Sequence, residues 1–192
     1  MKNSFKSGKD KFFVELIKPS HYDNDGYVIQ WWRSFSISNS LSCLYSLTLD
    51  SAERKILGED VEIIANLHDE YSTVIPIPAI IRRIRQKGNR GVIALVGVQT
   101  NQFPRSVDIA RSFREASIPV VIGGFHVSAA IAVLTEIPPD AQKALDMGIT
   151  LFSGEAEGHL DQLLSDAYHQ KLKPVYNVAN DLPDLRGQPT PL

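Results

Sequence analysis

Residues 118–126 read Ile-Pro-Val-Val-Ile-Gly-Gly-Phe-His, and this stretch decides the predicted fold. Its apolar run ends at Gly123-Gly124, as expected for a buried strand followed by a turn. Residues 91–98, Gly-Val-Ile-Ala-Leu-Val-Gly-Val, form a second continuously apolar run. Strands without polar alternation are typical of a parallel sheet that helices cover on both faces.

Outward from these runs, short apolar segments alternate with amphipathic segments along the chain. Besides Ile118–Ile122 and Gly91–Val98, the predicted strands are Phe12–Ile17, Val61–Ala65 and Ile149–Phe152. The predicted helices cover 36–55, 76–88, 106–116, 128–134, 138–147 and 158–169. Five βα repeats favour an α/β fold with a flavodoxin-like (Rossmann-like) open parallel five-stranded sheet, strand order 2-1-3-4-5, and helices on both faces.

Length and composition indicate one cytoplasmic domain. The chain has 192 residues, of which 43% are hydrophobic and 22% are charged, as is usual for a single globular domain. A net charge of -2 without a basic tail predicts no nucleic-acid or membrane partner. Residues 1–11 lack the apolar core of a secretory signal, and no apolar run approaches the roughly 20 residues of a membrane span. We predict a domain at 1–170 and an extended, proline-containing linker at 171–192.

Cys43 is the only cysteine in the sequence. One thiol excludes an intrachain disulfide, a four-cysteine zinc site and an iron–sulfur cluster held by this chain. Because Cys43 lies in an apolar helical stretch, we predict that it is buried and inert.

Hydrogen-bonding side chains and glycines follow four of the predicted strands. Ligands of open parallel sheets bind outside the carboxyl ends of the strands, so these residues are the candidate binding site. They are Ser20, His21 and Tyr22 after the first strand, Gln99, Thr100 and Asn101 after the third, Gly123, Gly124, Phe125 and His126 after the fourth, and Gly154, Glu155 and Glu157 after the fifth.

Each of these segments also has a purely structural interpretation. Gly123-Gly124 fits a tight turn as well as a point where a ligand approaches the backbone. Thr100-Asn101 fits the cap of the following helix. The glutamates of 155–157 suit the N-terminus of the last helix through its macrodipole. His126 fits a hydrogen-bonding turn residue better than a metal ligand.

Several familiar site motifs are absent or incomplete. Neither nucleotide-binding glycine fingerprint occurs, nor does the nucleophile elbow G-x-S-x-G. Residues 21–26 begin like a calcium loop, but the twelfth position is Trp32, where a glutamate is needed. Trp31 and Trp32 could stack on a flat ligand, although adjacent side chains point in different directions and at least one suits the core.

The combined turns resemble one known family. Val120–His126, followed by Pro138-Pro139 and then Gly154–Gly158, resembles the cobalamin-binding domain at the N-terminus of cobalamin-dependent radical SAM proteins. That domain carries a V-x-G-G-x-H turn after strand four and a G-E-G-E-like turn after strand five. Val96–Thr100 resembles its strand-three end, and Asp181–Pro191 resembles the linker that precedes the radical SAM barrel. The similarity covers nearly the whole chain.

The resemblance implies a corrinoid cofactor, cobalamin, lying across the carboxyl edge of the sheet. Its nucleotide tail would pass Gly123 and Gly124, the residues of 99–101 would hydrogen-bond the tail or the corrin amides, and the Ser153–Glu157 turn would close the far side. A radical SAM barrel is the implied partner, in cis or in trans.

Two motifs of cobalamin enzymes are missing. The C-x-x-x-C-x-x-C cluster motif does not occur, so this chain alone performs no radical SAM chemistry. The D-x-H-x-x-G signature is also absent, because His21 precedes Asp23 instead of following an aspartate. No histidine from that motif is therefore expected to ligate cobalt.

Two other functions remain open at this point. The domain could be a cofactor-free, degenerate α/β scaffold that docks another protein; an exposed apolar patch around Trp31 and Trp32 would favour this, and a deep cleft between the ends of strands three and four would oppose it. It could also bind a different small ligand, such as a nucleotide or a flavin.

Overall fold

A single parallel sheet organises the chain. A computed structural model describes residues 9–31, 38–86 and 90–191. The strands are β1 Asp10–Lys18, β2 Val61–Asp69, β3 Arg90–Leu95, β4 Val120–Gly123, β5 Thr150–Ser153 and β6 Val175–Asn177. The helices are α1 Asn39–Glu53, α2 Ile77–Arg85, α3 Phe103–Glu115, α4 Phe125–Ser128, α5 Pro139–Asp146 and α6 Leu160–Tyr168. The sheet order is β2-β1-β3-β4-β5-β6, and every pairing is parallel.

The predicted α/β fold with a parallel sheet is confirmed, and the first five strands follow the predicted order. The predicted strand number is wrong, because β6 pairs with β5 as a sixth strand. This strand lies within 171–192, the segment expected to be an extended linker. A strand of three residues is too short to show a period of two in the sequence, which explains why pattern reasoning missed it.

Helices cover both faces of the sheet, as predicted. On one face, side chains of α2, α3 and α5 pack with Phe13, Ile17 and Ile122 in one buried cluster. On the other face, side chains of α1 and α6 pack with Phe12 and Val121 in a second cluster. In β1 to β5, residues on the two faces contribute to the two different clusters, as the pleat of a strand requires.

Most predicted boundaries differ from the observed ones by a few residues. β2 continues four residues beyond Ala65 and ends at Asp69. The predicted helix at 128–134 is α4 continued by a π-helical turn over Ala129–Val133. The predicted ends of two helices, Ser36 and Gly88, lie outside the described residues.

Among the described residues, no helix combines the length and the apolar character that crossing a membrane requires.

Candidate functional site

A cleft of about 280 Å³ opens between α1 and α6 on one face of the sheet. Its floor includes Val14 and Leu16 on β1, Val92 and Ala94 on β3, Val121 on β4 and Phe152 on β5. Its walls are the apolar side chains Leu44 of α1 and Leu160, Leu163 and Leu164 of α6. The cleft is therefore largely apolar and spans the strands at the centre of the sheet.

Sequence explains why this space stays open. Among the described helices, α1 and α6 pack on this face, whereas α2, α3, α4 and α5 pack against the other. Most strand side chains that line the cleft are small valines and an alanine, although the larger Leu16 and Phe152 line it as well. Small side chains beneath two separated helices leave volume that interiors normally fill.

Glycines border the mouth of the cleft at the carboxyl edge. Gly97 follows β3, Gly123 and Gly124 end β4, and Gly154 follows β5; all four line the cleft. Because a glycine adds no side chain, a ligand that enters here meets backbone. Residues of the predicted binding turns after strands four and five therefore line the cleft, and their binding of a ligand stays a prediction.

The two neighbouring glycines have different roles. Gly124 has φ 138°, and a Cβ there would lie 2.1 Å from the Val98 nitrogen. The same turn is tied to β3 because Val98 N–H donates to Gly123 O at 3.0 Å and His126 N–H donates to Val98 O at 3.1 Å. Gly124 is thus required for the backbone packing of the turn.

Gly123, in contrast, has space around it. A Cβ there would be 3.4 Å from Phe152 O, an ordinary contact, and its φ lies outside the left-handed region. It shares a strand face with Val121, which is part of the cleft floor. Gly123 is therefore the member of the pair whose missing side chain leaves room for a ligand.

Gly154 resembles Gly124 more than Gly123. Its φ is 110°, and a Cβ would lie 2.7 Å from Ala179 N. Its N–H donates to Ser128 Oγ at 3.1 Å. The turn is thereby fixed, and it places Glu155 and Glu157 at the mouth of the cleft.

The start of α1 contributes lining residues that the sequence reasoning missed. Asn39, Ser40 and Cys43 all line the cleft. They do not follow a strand, but a helix that starts at the carboxyl edge reaches the same space. The prediction of a buried Cys43 is wrong, because its side chain is half-buried at the cleft. Burial chiefly, and then the charge of Glu157, raises the pKa of the Cys43 thiol, so the thiol is mostly protonated at neutral pH and its reactivity is lowered.

Ser20, His21 and Tyr22 lie elsewhere and do not line the cleft. Ser20 is fully buried, and its N–H donates to Glu70 Oε2 at 3.0 Å. His21 Nδ1 lies 3.1 Å from the Tyr71 hydroxyl. The Tyr22 hydroxyl donates to Asp108 Oδ2 at 2.8 Å. Their polar atoms bond to the protein itself.

A second set of contacts continues this polar region. Gln102 Nε2 donates to Pro19 O and to the Tyr71 hydroxyl, both at 3.0 Å. Its Oε1 accepts from Gln99 N–H at 2.8 Å and from Lys18 Nζ at 3.1 Å. Burial lowers the pKa of Lys18, which the charge of Asp69 partly opposes.

We call this region the β1–β2 polar cluster. It comprises Lys18, Ser20, His21, Tyr22, Glu70, Tyr71, Gln102 and Arg105.

The remaining candidates after β3 are also outside the cleft. Thr100 and Asn101 are exposed in a 3₁₀ turn that ends at Gln102. The residue that fixes this turn is Gln102, whose side chain accepts the Gln99 N–H.

Phe125 and His126 follow the glycine pair without lining the cleft. Phe125 is 66% exposed. The His126 ring packs on Phe103 with 4.2 Å between ring centroids. Its Nε2 lies 3.1 Å from Asp140 Oδ2 but has no hydrogen bond among the described residues. No group of three or more potential metal ligands forms within the described part of the chain.

Neither a scan against protein-family models nor a search of curated proteins found a match to this chain.

Proposed function

We propose that this chain binds a corrinoid cofactor, cobalamin, with the nucleotide tail in the α1–α6 cleft and the corrin ring over the carboxyl edge of the sheet. The observation that carries the proposal is the apolar cleft that opens at Gly123 between the carboxyl ends of β3, β4 and β5. This is the place where open parallel sheets bind ligands. The flavodoxin-like strand order is consistent with it.

The size of the cleft suits a tail better than a whole cofactor. Pockets that enclose a small molecule usually have about 300–1,000 Å³, and this one has about 280 Å³. A flat aromatic base would rest on the apolar floor of Val92, Ala94 and Val121. The sugar and phosphate would reach the mouth, where Ser40 at the start of α1 supplies a hydroxyl.

Exposed apolar side chains in the segment after Gly124 are consistent with a broad ligand. The segment from Phe125 to Ile137 follows β4 and leads to α5, where Asp140 Oδ2 lies 3.1 Å from His126 Nε2. Its side chains Phe125, Val133 and Leu134 are 66%, 76% and 52% exposed. A corrin ring on the carboxyl edge would cover part of this surface.

The cleft residues fit a cobalamin whose cobalt takes no histidine from the cleft. No histidine is among its described lining residues. The protein would bind and orient the cofactor, and the corrinoid would supply methyl-transfer chemistry when bound. In this proposal a radical SAM barrel, on the same chain or on a partner, supplies the iron–sulfur chemistry that this chain lacks.

The docking scaffold is the second candidate, and Trp31 is the observation in its favour. Its side chain is 62% exposed, whereas Trp32 lies outside the described residues. A pure docking scaffold has no use for an unfilled cleft at the ligand edge, so the corrinoid proposal accounts for more of the molecule.

Titration with hydroxocobalamin tests the proposal, followed by visible absorbance and by calorimetry. Ala94→Leu fills the floor of the cleft, and we expect it to weaken binding at least ten-fold. Ala65→Leu is the matched control, since Ala65 is a half-buried alanine of β2 outside the cleft, and we expect it to bind like wild type.

Two results would contradict the proposal. One is the absence of binding by wild type at high micromolar hydroxocobalamin; the other is undiminished binding by Ala94→Leu. Thermal stabilisation by FMN or ATP without any response to hydroxocobalamin would instead favour the nucleotide or flavin alternative.

A further inference from the structure

A second cleft lies at the opposite, amino-terminal edge of the sheet. It has a volume of about 530 Å³ and is lined where β3, β4 and β5 begin. Arg85, Arg90 and Arg114 all line it, and we call it the arginine cleft. Neither aspartate nor glutamate is among its described lining residues. The residues outside the described ranges include no acidic residue either.

The three arginines contact carbonyl oxygens and not carboxylates. Arg85 Nη2 donates to Ala116 O at 2.6 Å, and Arg90 Nη1 donates to Tyr168 O at 3.3 Å. Arg114 donates from Nε to Met147 O at 3.3 Å and from Nη1 to Ile118 O at 3.2 Å. Within the described ranges, none of the three forms an ion pair with a carboxylate.

Helix capping accounts for only part of this arrangement. Ala116, Met147 and Tyr168 are at the ends of α3, α5 and α6, and each helix end carries roughly half a negative charge. Three guanidiniums therefore exceed the charge of three helix ends and leave the cleft positive. Each guanidinium has five N–H donors, so most donors remain available to a ligand.

Two further polar groups line the same cleft in an unusual backbone conformation. Ser117 has φ 59° and Gln170 has φ 57°, and both line the cleft. Glycine is the usual residue at this position after a helix, because a side chain there costs about 1–2 kcal/mol. The hydroxyl and the amide are exposed and are placed to add hydrogen bonds to those of the arginines.

We propose that the arginine cleft binds a small molecule that carries a phosphate group. The planar guanidinium fork matches phosphate oxygens with two parallel hydrogen bonds. Apolar lining from Ile118, Pro119, Leu145 and Leu172 would contact the uncharged part of the molecule. The site is separate from the α1–α6 cleft, so it does not depend on the corrinoid proposal.

Inorganic pyrophosphate is the probe, with binding measured by calorimetry and by the shift in melting temperature. A control with sodium chloride at the same ionic strength measures the effect of charge screening alone. We expect pyrophosphate to raise the melting temperature of wild type, and Arg90→Gln and Arg85→Gln each to weaken its affinity at least ten-fold. Arg111→Gln is the matched control, because Arg111 is an exposed arginine of α3 paired with Asp108 at 2.8 Å outside the cleft.

A fold control accompanies these variants. Arg90→Gln should retain wild-type circular dichroism and wild-type affinity for hydroxocobalamin, whichever value that has. Equal affinity for pyrophosphate in wild type, Arg90→Gln and Arg111→Gln would overturn the proposal, as would no response of wild type. Binding of citrate without binding of pyrophosphate would overturn the phosphate assignment.

Discussion

The two halves of the carboxyl edge are built in opposite ways. At the β1–β2 polar cluster, charged and polar side chains fill the edge and hydrogen-bond to one another. At the ends of β3, β4 and β5, four glycines border an open, largely apolar cleft, with Glu155 and Glu157 at its mouth. Hydrogen-bonding residues were predicted as ligand contacts in both halves. Among the described residues, the α1–α6 cleft opens in the second half, whereas the polar side chains of the first half bond to one another. If the proposed ligand binds in the second half, unfilled space beside the backbone marks the site better than polar side chains do.

The polar half is expected to act as scaffold. Glu70 is 2% exposed, and its Oε1 lies 2.5 Å from Arg105 Nη2. Tyr22 adds an aromatic face beneath the guanidinium, 5.8 Å from its centre. Such a group stabilises the fold only while every charge keeps its partner, because an unpaired buried charge is costly.

The largest expected effect comes from breaking this pair. Arg105→Met leaves the Glu70 carboxylate buried without its cation, and we expect the free energy of unfolding to fall by about 3–5 kcal/mol. Urea denaturation measures this loss. In buffer that keeps the variant folded, its affinity for hydroxocobalamin should equal that of wild type.

Arg111→Met on the same helix is the control for Arg105→Met. Arg111 pairs with Asp108 in solvent, and exposed pairs contribute at most about 1 kcal/mol. Equal losses in the two variants would mean that the polar cluster has no special role. A loss of cofactor affinity in Arg105→Met alone would place part of the binding site in the β1–β2 half.

Substitutions in the glycine pair are expected to give the next largest effect. One substitution should lower stability, and the other should lower ligand affinity. Gly124→Ala forces a Cβ against the Val98 backbone at a positive φ, and we expect it to cost about 2–3 kcal/mol of unfolding free energy. Gly123→Ala should change stability by less than about 0.5 kcal/mol, since its Cβ meets only ordinary contacts. Gly123→Ala should nevertheless weaken hydroxocobalamin binding, because its methyl group enters the cleft.

Denaturation and cofactor titration of both glycine variants check this division. If Gly123→Ala unfolds as readily as Gly124→Ala, the two glycines have the same structural role. If it binds cofactor like wild type, the ligand does not pass this point of the cleft.

The fold was predictable because its signal is repeated. Five apolar runs separated by amphipathic segments each indicate the same βα unit, so an error in one leaves the rest intact. β6 has no such support: it consists of Val175–Asn177 only, and its pairing with β5 depends on tertiary contact. The position of Gly123-Gly124 after a buried strand was also readable from sequence.

The division of the site was not predictable, because it depends on side-chain partners far apart in the chain. Tyr71 is fifty residues from His21 and Glu70 is fifty from Ser20, so their hydrogen bonds have no local pattern. Likewise, Asn39 and Ser40 reach the cleft only because α1 begins over the end of β3. The positions of glycines in turns could be predicted because a glycine acts on its local backbone. Whether a polar residue contacts a ligand or another part of the protein could not be predicted without knowing its hydrogen-bond partners.

A substitution of Tyr176, beside the β5 side of the cleft, is expected to have a smaller effect on stability. Its hydroxyl donates to Asp166 Oδ2 at 2.6 Å, and its ring stacks on Phe152, which lines the cleft. Burial first, and then the bond to Asp166, raises the pKa of Tyr176 to about 12 from 10.0. Tyr176→Phe should lower the unfolding free energy by about 1 kcal/mol at neutral pH.

The pH dependence of this difference has a definite sign. The pKa of the Tyr176 hydroxyl is higher in the folded state than in the unfolded state. Its contribution to stability is therefore fully present below pH 10.0 and is lost as the pH rises toward about 12. The gap between wild type and Tyr176→Phe should therefore close over that range in urea denaturation. Tyr45→Phe is the control, since Tyr45 is half-buried on the same face and its hydroxyl has no hydrogen bond among the described residues. A gap that stays constant through this range would show that the hydroxyl contributes nothing.

The smallest expected effect is on the reaction rate of Cys43, and it reports directly on the cleft. The raised pKa of this thiol keeps the thiolate fraction low at neutral pH, so N-ethylmaleimide should react more slowly with the folded protein than with the urea-unfolded chain. Glu157→Gln removes a nearby negative charge, and we expect it to speed the reaction slightly.

Cyanocobalamin should slow this alkylation several-fold, because a tail in the cleft covers Cys43. The sequence has one cysteine, so mass spectrometry reads a single adduct without ambiguity, and Ala94→Leu should lose the protection together with its affinity. The β1–β2 half contains no thiol that could confuse the result. Saturating cyanocobalamin that leaves the rate unchanged would place the ligand outside the cleft, and the contrast between the two halves would then have no bearing on binding.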